Sequence, residues 1–367
     1  MLSLLGVVSR RPINARQRQT HAVDDVLRSV MAAPDSPDFA LHPLHGIHEP
    51  TTTTPPRRWP SVRRTTSVDI FRDEGALDPV YLHGRGRDLL TTAAGATVEI
   101  GVAAMSATVE MIARIVRHIE TAPAFAGSSL LAGAPAMSGF RAAVDKVAPD
   151  LRAQRDLRYT LLDDVPVATL ISGHSLSASG VLGDVTKSGY LPVADQCAGF
   201  AIGGLLMTSF EAGDPAVVTG PIAPDLRYKD PLAWHNLKDL PLHAMRRRRR
   251  LDVYPHDDSH IELDAMFRDS YVRADGAETI IHEYTLNAVV DANNMIVDSC
   301  ATPRVLPWQE CPHAVASAAR ITGMTLQQLH FRVRKELYGT STCTHLNDLL
   351  RSTADAVTLI SHLDDAA

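Results

Sequence analysis

With 367 residues, 45% of them hydrophobic and 21% charged, the chain has a globular composition and room for two domains. A net charge of −6 argues against a general nucleic-acid binder, since nothing draws the whole molecule to phosphate. The four cysteines (Cys197, Cys300, Cys311, Cys343) are too scattered for a disulfide framework. No apolar run reaches the roughly 18 residues of a membrane helix, and the apolar residues 1–8 are followed, not preceded, by basic residues, the wrong order for a secretory signal. The expectation is a soluble cytoplasmic protein with no membrane partner.

Residues 1–60 mix Arg, Pro, Thr and His without a sustained period and read as a disordered arm. Periodicity begins near Arg63. Residues 67–71 and 97–102 alternate as strands do, and 109–119 lean to strand at their end. Residues 135–147 and 159–171 read as helices, the second interrupted by Pro166. Residues 176–245 form a glycine-rich connection with no counterpart elsewhere, readable as buried packing, a homodimer surface or a lid over an apolar ligand.

From residue 246 the earlier order returns. Leu251-Asp252-Val253-Tyr254 echoes Val68-Asp69-Ile70-Phe71, each after an arginine cluster, and later matches keep a near-constant offset of about 180 to 190 residues, as tandem duplication leaves. Residues 261–272, 278–291 and 295–301 read as strands, the last ended by Pro303; residues 311–321, 326–337 and 345–363 read as helices. The predicted class is therefore α+β. Two related units (61–175 and 246–367) each carry a small antiparallel sheet covered by helices.

Residues 246–360 resemble the family called domain of unknown function 2889. The resemblance rests on Phe267-Arg268-Asp269, on Ile281 through Leu286, on Leu306-Pro307-Trp308 through Cys311-Pro312, and on Gly339 through Cys343-Thr344-His345-Leu346 with Asp348-Leu349-Leu350. It implies one module and brings no activity with it. The first unit looks like a diverged copy in which Arg155-Asp156-Leu157 stands roughly where Cys-Thr-His would be.

The chemistry concentrates at Cys343-Thr344-His345, a thiol and an imidazole at the mouth of a predicted helix. Cys343 is either a nucleophile with a lowered pKa or a small buried apolar residue, with Thr344 or Ser341 capping the helix. His282 and Glu283 are adjacent on a predicted strand and face opposite sides, so His282 on the covered side would meet His345. Cys311, His313, Cys343 and His345 have the wrong spacing for the usual zinc ribbons or fingers, and neither a metal nor another cofactor is expected. The run from Arg246 to Arg250 has no aromatic interleaving and reads as a solvated edge or a carboxylate-paired strand start, so nucleic acid is not an expected partner.

These readings lead to a cofactor-independent acid–base enzyme (a lyase, isomerase or hydrolase). Its substrate would be a small, largely apolar, oxygen-bearing molecule such as an aromatic or alicyclic catabolite. His345 would be the acid or base, Cys343 or Asp348 would orient it, and His282 would be a second proton-transfer group. Trp308, Cys311, Asp195 and Tyr284 would contact the substrate. The alternative is a non-catalytic ligand-binding or assembly protein in which this segment only caps and packs the last helix.

Overall fold

The computed structural model describes residues 46–181, 193–213, 217–257 and 259–363. Eight antiparallel strands form one sheet in the order β4-β3-β2-β1-β5-β6-β7-β8. The first meander is β1 (Ser61–Phe71), β2 (Val80–Thr91), β3 (Thr97–Glu110) and β4 (Ile115–Ala122). The second is β5 (Met245–Pro255), β6 (His260–Val272), β7 (Glu278–Asp291) and β8 (Ile296–Val305). The α+β class stands. The two small sheets expected from the sequence are joined into one, because β1 and β5 pair as its central strands.

That central pairing is reciprocal. Arg63 lies opposite Asp252 and Asp69 opposite Arg246, and both pairs close at 2.5 Å. Successive residues of a strand face opposite sides, so the five arginines of β5 divide between two faces. Arg246, Arg248 and Arg250 pair with Asp69, Glu278 and Asp264 on one face, while Arg247 and Arg249 reach Asp164 on the other. All five are buried. The expected solvated edge is thus corrected: β5 is a central strand, and only the carboxylate-paired part of that reading survives.

One face carries the helices: α1 (Phe140–Val147), α2 (Pro149–Ala153) and α3 (Leu157–Ala178) over the first half. Over the second lie a 3-10 stretch (Cys311–Ile321), α5 (Leu326–Glu336), α6 (Thr344–Ser352) and α7 (Ala356–Ser361), with α4 (Leu205–Glu211) in the connection between halves. Two apolar cores lie against the sheet, one built mostly from each half, and each takes in a few residues of the other half. Pro166 lies inside α3 and does not end it, because both apolar flanks of the helix are buried and their packing outweighs one lost backbone hydrogen bond. Strand β2 has no clear sequence signal, since Gly84 and Gly86 interrupt its pattern. A Cβ on Gly86 would stand 2.9 Å from Leu157, so glycine lets α3 lie close to the sheet. Pro303, expected to end β8, lies within it, as an edge strand permits.

The opposite face is roofed by residues 46–60 and 217–244. The expectation of a disordered arm is corrected at residues 46–60, which are part of the fold; its residues 1–45 lie outside those described. Ile47 and Glu49 bond to Leu306 and Arg304 along the outer edge of β8. Thr54 accepts the Trp234 indole N–H at 2.9 Å and donates to the Leu226 carbonyl at 2.7 Å. Residues 221–223 pair with the start of β7, where the carbonyl of Ile280 would lie 1.6 Å from a Cβ on Gly220. Gly220→Ala is expected to cost about 2–3 kcal/mol, read as a lowered midpoint in denaturant, because backbone is pressed against backbone and neither side can yield.

His235 sits beneath this roof, its ring nitrogens 3.0 Å from the Thr65 hydroxyl and 2.8 Å from that of Ser67. Burial, with the Arg87 and Arg246 charges nearby, lowers its pKa to about 3. Its stabilising contribution is complete above the unfolded-state value near 6.5. It is lost as pH falls from there toward the folded value, because the unfolded state takes the proton first. Unfolding titrations should show stability falling by about 1.4 kcal/mol per pH unit from this group across that window, and His235→Gln should flatten the slope.

Candidate functional site

The centre of the helix-covered face, between the two apolar cores, is ionic. Arg247 donates to both oxygens of Asp269 at 2.8 and 2.9 Å and lies 3.0 Å from Asp164 of α3. Arg64 bonds Asp88 at 2.7 Å and Asp355 at 3.1 Å. Each of these two arginines is therefore met by an aspartate of the adjacent strand and by one from a helical segment of the other half. Arg351 and Arg141 bridge Asp163 of α3 and Asp348 of α6. Burial alone would raise the carboxylate pKa values, but the guanidiniums win. Asp163 and Asp348 lie well below the usual range and Asp269 is held at about 2.

Against this network stand two histidines. His282 lies directly across from Asp269 in the β6–β7 register, at a bulge between Asp269 and Ser270. Alternation along β7 puts His282 on the same side as the core residues Tyr284 and Leu286, facing the helices. His345 enters from the second residue of α6, whose N-cap is Cys343. The two imidazoles stack with centroids 3.7 Å apart and planes 19° apart. His282 Nδ1 and His345 Nε2 lie 3.6 and 3.8 Å from the Asp269 carboxylate. Both nitrogens are buried and neither makes a hydrogen bond. Burial, then the His282 ring, lowers the His345 pKa to about 3, so this imidazole is neutral at ordinary pH. His174 of α3, edge-on to Tyr271 at 5.2 Å, is similarly lowered to about 4 by burial and by His282.

A cleft of about 330 Å³ opens between the halves beside α6. Met137, Pro166, Leu170 and Val333 supply its apolar wall, and Arg141 and Asp348 its polar side. Thr344, next to His345, also lines it. A second cleft, of about 360 Å³, is polar and lies on the roofed face away from the histidines, against Arg246, Arg248 and Glu278.

Of the residues singled out from sequence, His345 and His282 meet as expected, and Asp348 joins them through Arg247, 3.5 Å away. Cys343 is buried, and burial followed by the Cys197 thiol pushes its pKa up to about 12, which keeps it protonated. No side chain caps α6: Thr342 bonds the Gly339 carbonyl, and neither Thr344 nor Ser341 takes the cap role. Tyr284, Cys311 and Trp308 pack in the core of the second half, where Gly199 of the glycine-rich connection abuts Trp308 and Cys311. Asp195 is exposed and accepts the Ile202 N–H at 3.0 Å, within its own turn. Sequence reading missed Asp269, Arg247 and Asp164. Asp269 alternates with the buried Phe267 and Tyr271 on β6, a period-two signal that puts it on the covered side.

Among the described residues no helix is long and apolar enough to cross a membrane. No curated protein matches the chain. A solved structure titled "Crystal structure of lipopolysaccharide binding protein" aligns over 92% of this chain and 88% of its own at 8% identity. Its TM-score is 0.11, too slight a likeness to carry fold or function across. Residues 245–359, which hold Asp269, His282, His345 and Asp348, match the family described as "Protein of unknown function (DUF2889)".

Proposed function

We propose that Asp269, His282 and His345 form the active centre of an acid–base enzyme of the lyase, isomerase or hydrolase kind. Its substrate is a small, largely apolar, oxygen-bearing molecule such as an aromatic or alicyclic catabolite. The observation that carries this reading is the pair of buried ring nitrogens with no hydrogen-bond partner, turned toward an ionised carboxylate. Buried polar atoms are normally satisfied within the fold, so two left open at one point indicate a bound species or a reaction. A neutral imidazole can take a proton from substrate, and Asp269, fixed by Arg247, stabilises the cation that forms. The adjacent cleft fits a small apolar body, and Arg141 offers a guanidinium to a substrate oxygen.

The first half supports the same reading. There the register places Asp88 opposite Gly101 with a bulge directly after Asp88, as Asp269 faces His282 with a bulge directly after Asp269. The Arg–Asp pair and the bulge thus form without a histidine, so the imidazoles are not needed to build that geometry. The proposal includes tandem duplication, in which one copy keeps the site and the other keeps scaffold duty. It also includes a cytoplasmic setting, where the free cysteines stay reduced.

The test compares metabolite extracts incubated with wild type and with folded His345→Ala, by mass spectrometry. A compound consumed only by wild type, with a matching product, supports the enzyme and names its reaction class by the mass change. Equal turnover by both proteins removes His345 from catalysis. A molecule retained equally and unchanged by both favours the non-catalytic binding protein, in which Cys343 to His345 serve packing.

A further inference from the structure

From the same geometry we infer that His282 Nδ1, His345 Nε2 and an Asp269 oxygen bind one divalent first-row transition-metal ion. This inference deepens the active-centre reading and rests on it. It places an ion, instead of an imidazole alone, opposite the substrate's oxygen.

Three observations carry it. The three donor atoms lie within 4.8 Å of one another, a grouping found nowhere else among the described residues. They come from three separate elements, β6, β7 and the start of α6, so the fold converges them and local sequence does not. Both nitrogens are buried and unbonded, and leaving such atoms unsatisfied costs about 1–3 kcal/mol each, which coordination recovers. The carboxylate is prepared as well: Arg247 occupies only part of its acceptor capacity and holds it in orientation, as second-layer partners of metal ligands do.

The carboxylate distances need little change, but the two rings, stacked 19° from parallel, must open apart, since an imidazole binds an ion in its own plane. Ligand bonds of roughly 2.0–2.2 Å put neighbouring donors about 3.3–3.6 Å apart around a tetrahedral ion. The nitrogen-to-carboxylate separations are 3.6 and 3.8 Å, so each side chain draws in by a fraction of an ångström. The stacked rings tilt apart as their edges turn to the ion. Two imidazoles and a carboxylate suit zinc, iron(II), cobalt(II) or nickel(II). They do not suit calcium or magnesium, which take oxygen, or copper(I), which takes thiolate. Three protein ligands leave at least one position open for water or substrate oxygen, the arrangement of a reactive site and not of a structural one.

The test titrates chelator-treated full-length protein with zinc(II) by calorimetry and with cobalt(II) by visible absorption, alongside elemental analysis of the purified protein. One equivalent per chain is expected. His282→Ala and His345→Ala should each weaken binding at least about 100-fold, since even outer partners of metal ligands are worth 10- to 100-fold. Asp269→Asn serves as a third variant that keeps the side chain's shape, and Cys311→Ala, outside the set, should bind as wild type does. Loss of binding counts only in variants whose circular dichroism matches wild type.

Absence of stoichiometric binding by wild type overturns the metal site. A thiolate-to-cobalt charge-transfer band does the same, because it moves the ion to the buried thiols of Cys197, Cys311 or Cys343. If metal-free protein still turns over its substrate and His345→Ala does not, the ion's place opposite the substrate's oxygen is overturned while the acid–base reading stands. If binding needs both histidines but His345→Ala turns over normally, the metal site stands and the active-centre reading fails.

Discussion

Arg247→Met is expected to lower the unfolding free energy by about 3–5 kcal/mol, measured by denaturant titration with the slope unchanged. The Arg247 side chain is fully buried and lies between Asp269, Asp164 and Asp348, with distances of 2.8, 3.0 and 3.5 Å. Removing it leaves three carboxylates in a low-dielectric space with one counter-charge fewer. The loss is dominated by their desolvation and mutual repulsion, not by a few missing hydrogen bonds. Arg247→Lys restores the charge but not the planar fork that bonds Asp164 and Asp269 together, so it should recover only part of the loss. If Arg247→Met costs less than about 1 kcal/mol, this arginine is dispensable and the β1–β5 pairing, the other ion pairs and the apolar cores hold the two halves together. Because Arg247 also fixes Asp269, the variant should lose function more completely than stability, whichever chemistry the site performs.

His345→Ala is expected to reduce turnover by about 10²- to 10⁴-fold, the usual contribution of a positioned acid or base. His282→Ala should do the same, and the double variant should fall little further, since two rings stacked at 3.7 Å over one carboxylate act as a unit. Folding should be affected less. His345 Nε2 makes no hydrogen bond, so truncating the ring removes ring stacking with His282 and Phe267 and one long polar contact, from Nδ1 to the Thr344 hydroxyl at 3.5 Å. A variant that melts early yet keeps its turnover per folded molecule would contradict this and favour a packing role. Multiplicative loss in the double variant would show that the rings act independently.

Much of the second half is legible along the chain, because its strands alternate cleanly and its turns are marked by Asp275-Gly276 and residues 291–294. In the first half, β2 is obscured by glycines that serve helix–sheet contact, and the helix expected from residue 135 starts only at Phe140 after a left-handed Gly139. The five arginines of β5 look solvated in a sequence. Their burial depends mainly on carboxylates contributed from β1, β6, β7 and α3, far from them in sequence; the local exception is Asp252, two residues from Arg250. The protein spends its arginines on joining two halves, which no local pattern announces.

The candidate site divides in the same way. By itself the sequence determined that a thiol and an imidazole stand two residues apart at Cys343 and His345, that His282 and Glu283 must face opposite sides of a strand, and that the two halves share an order of elements. Only the tertiary structure decided that both imidazoles meet over Asp269, that Arg247 holds that carboxylate, and that Cys343 is sealed away. The physical reason is range. Alternation and capping are set by neighbours within a few residues, whereas a convergent site and a buried ion network depend on strand register and helix packing between segments far apart in the chain.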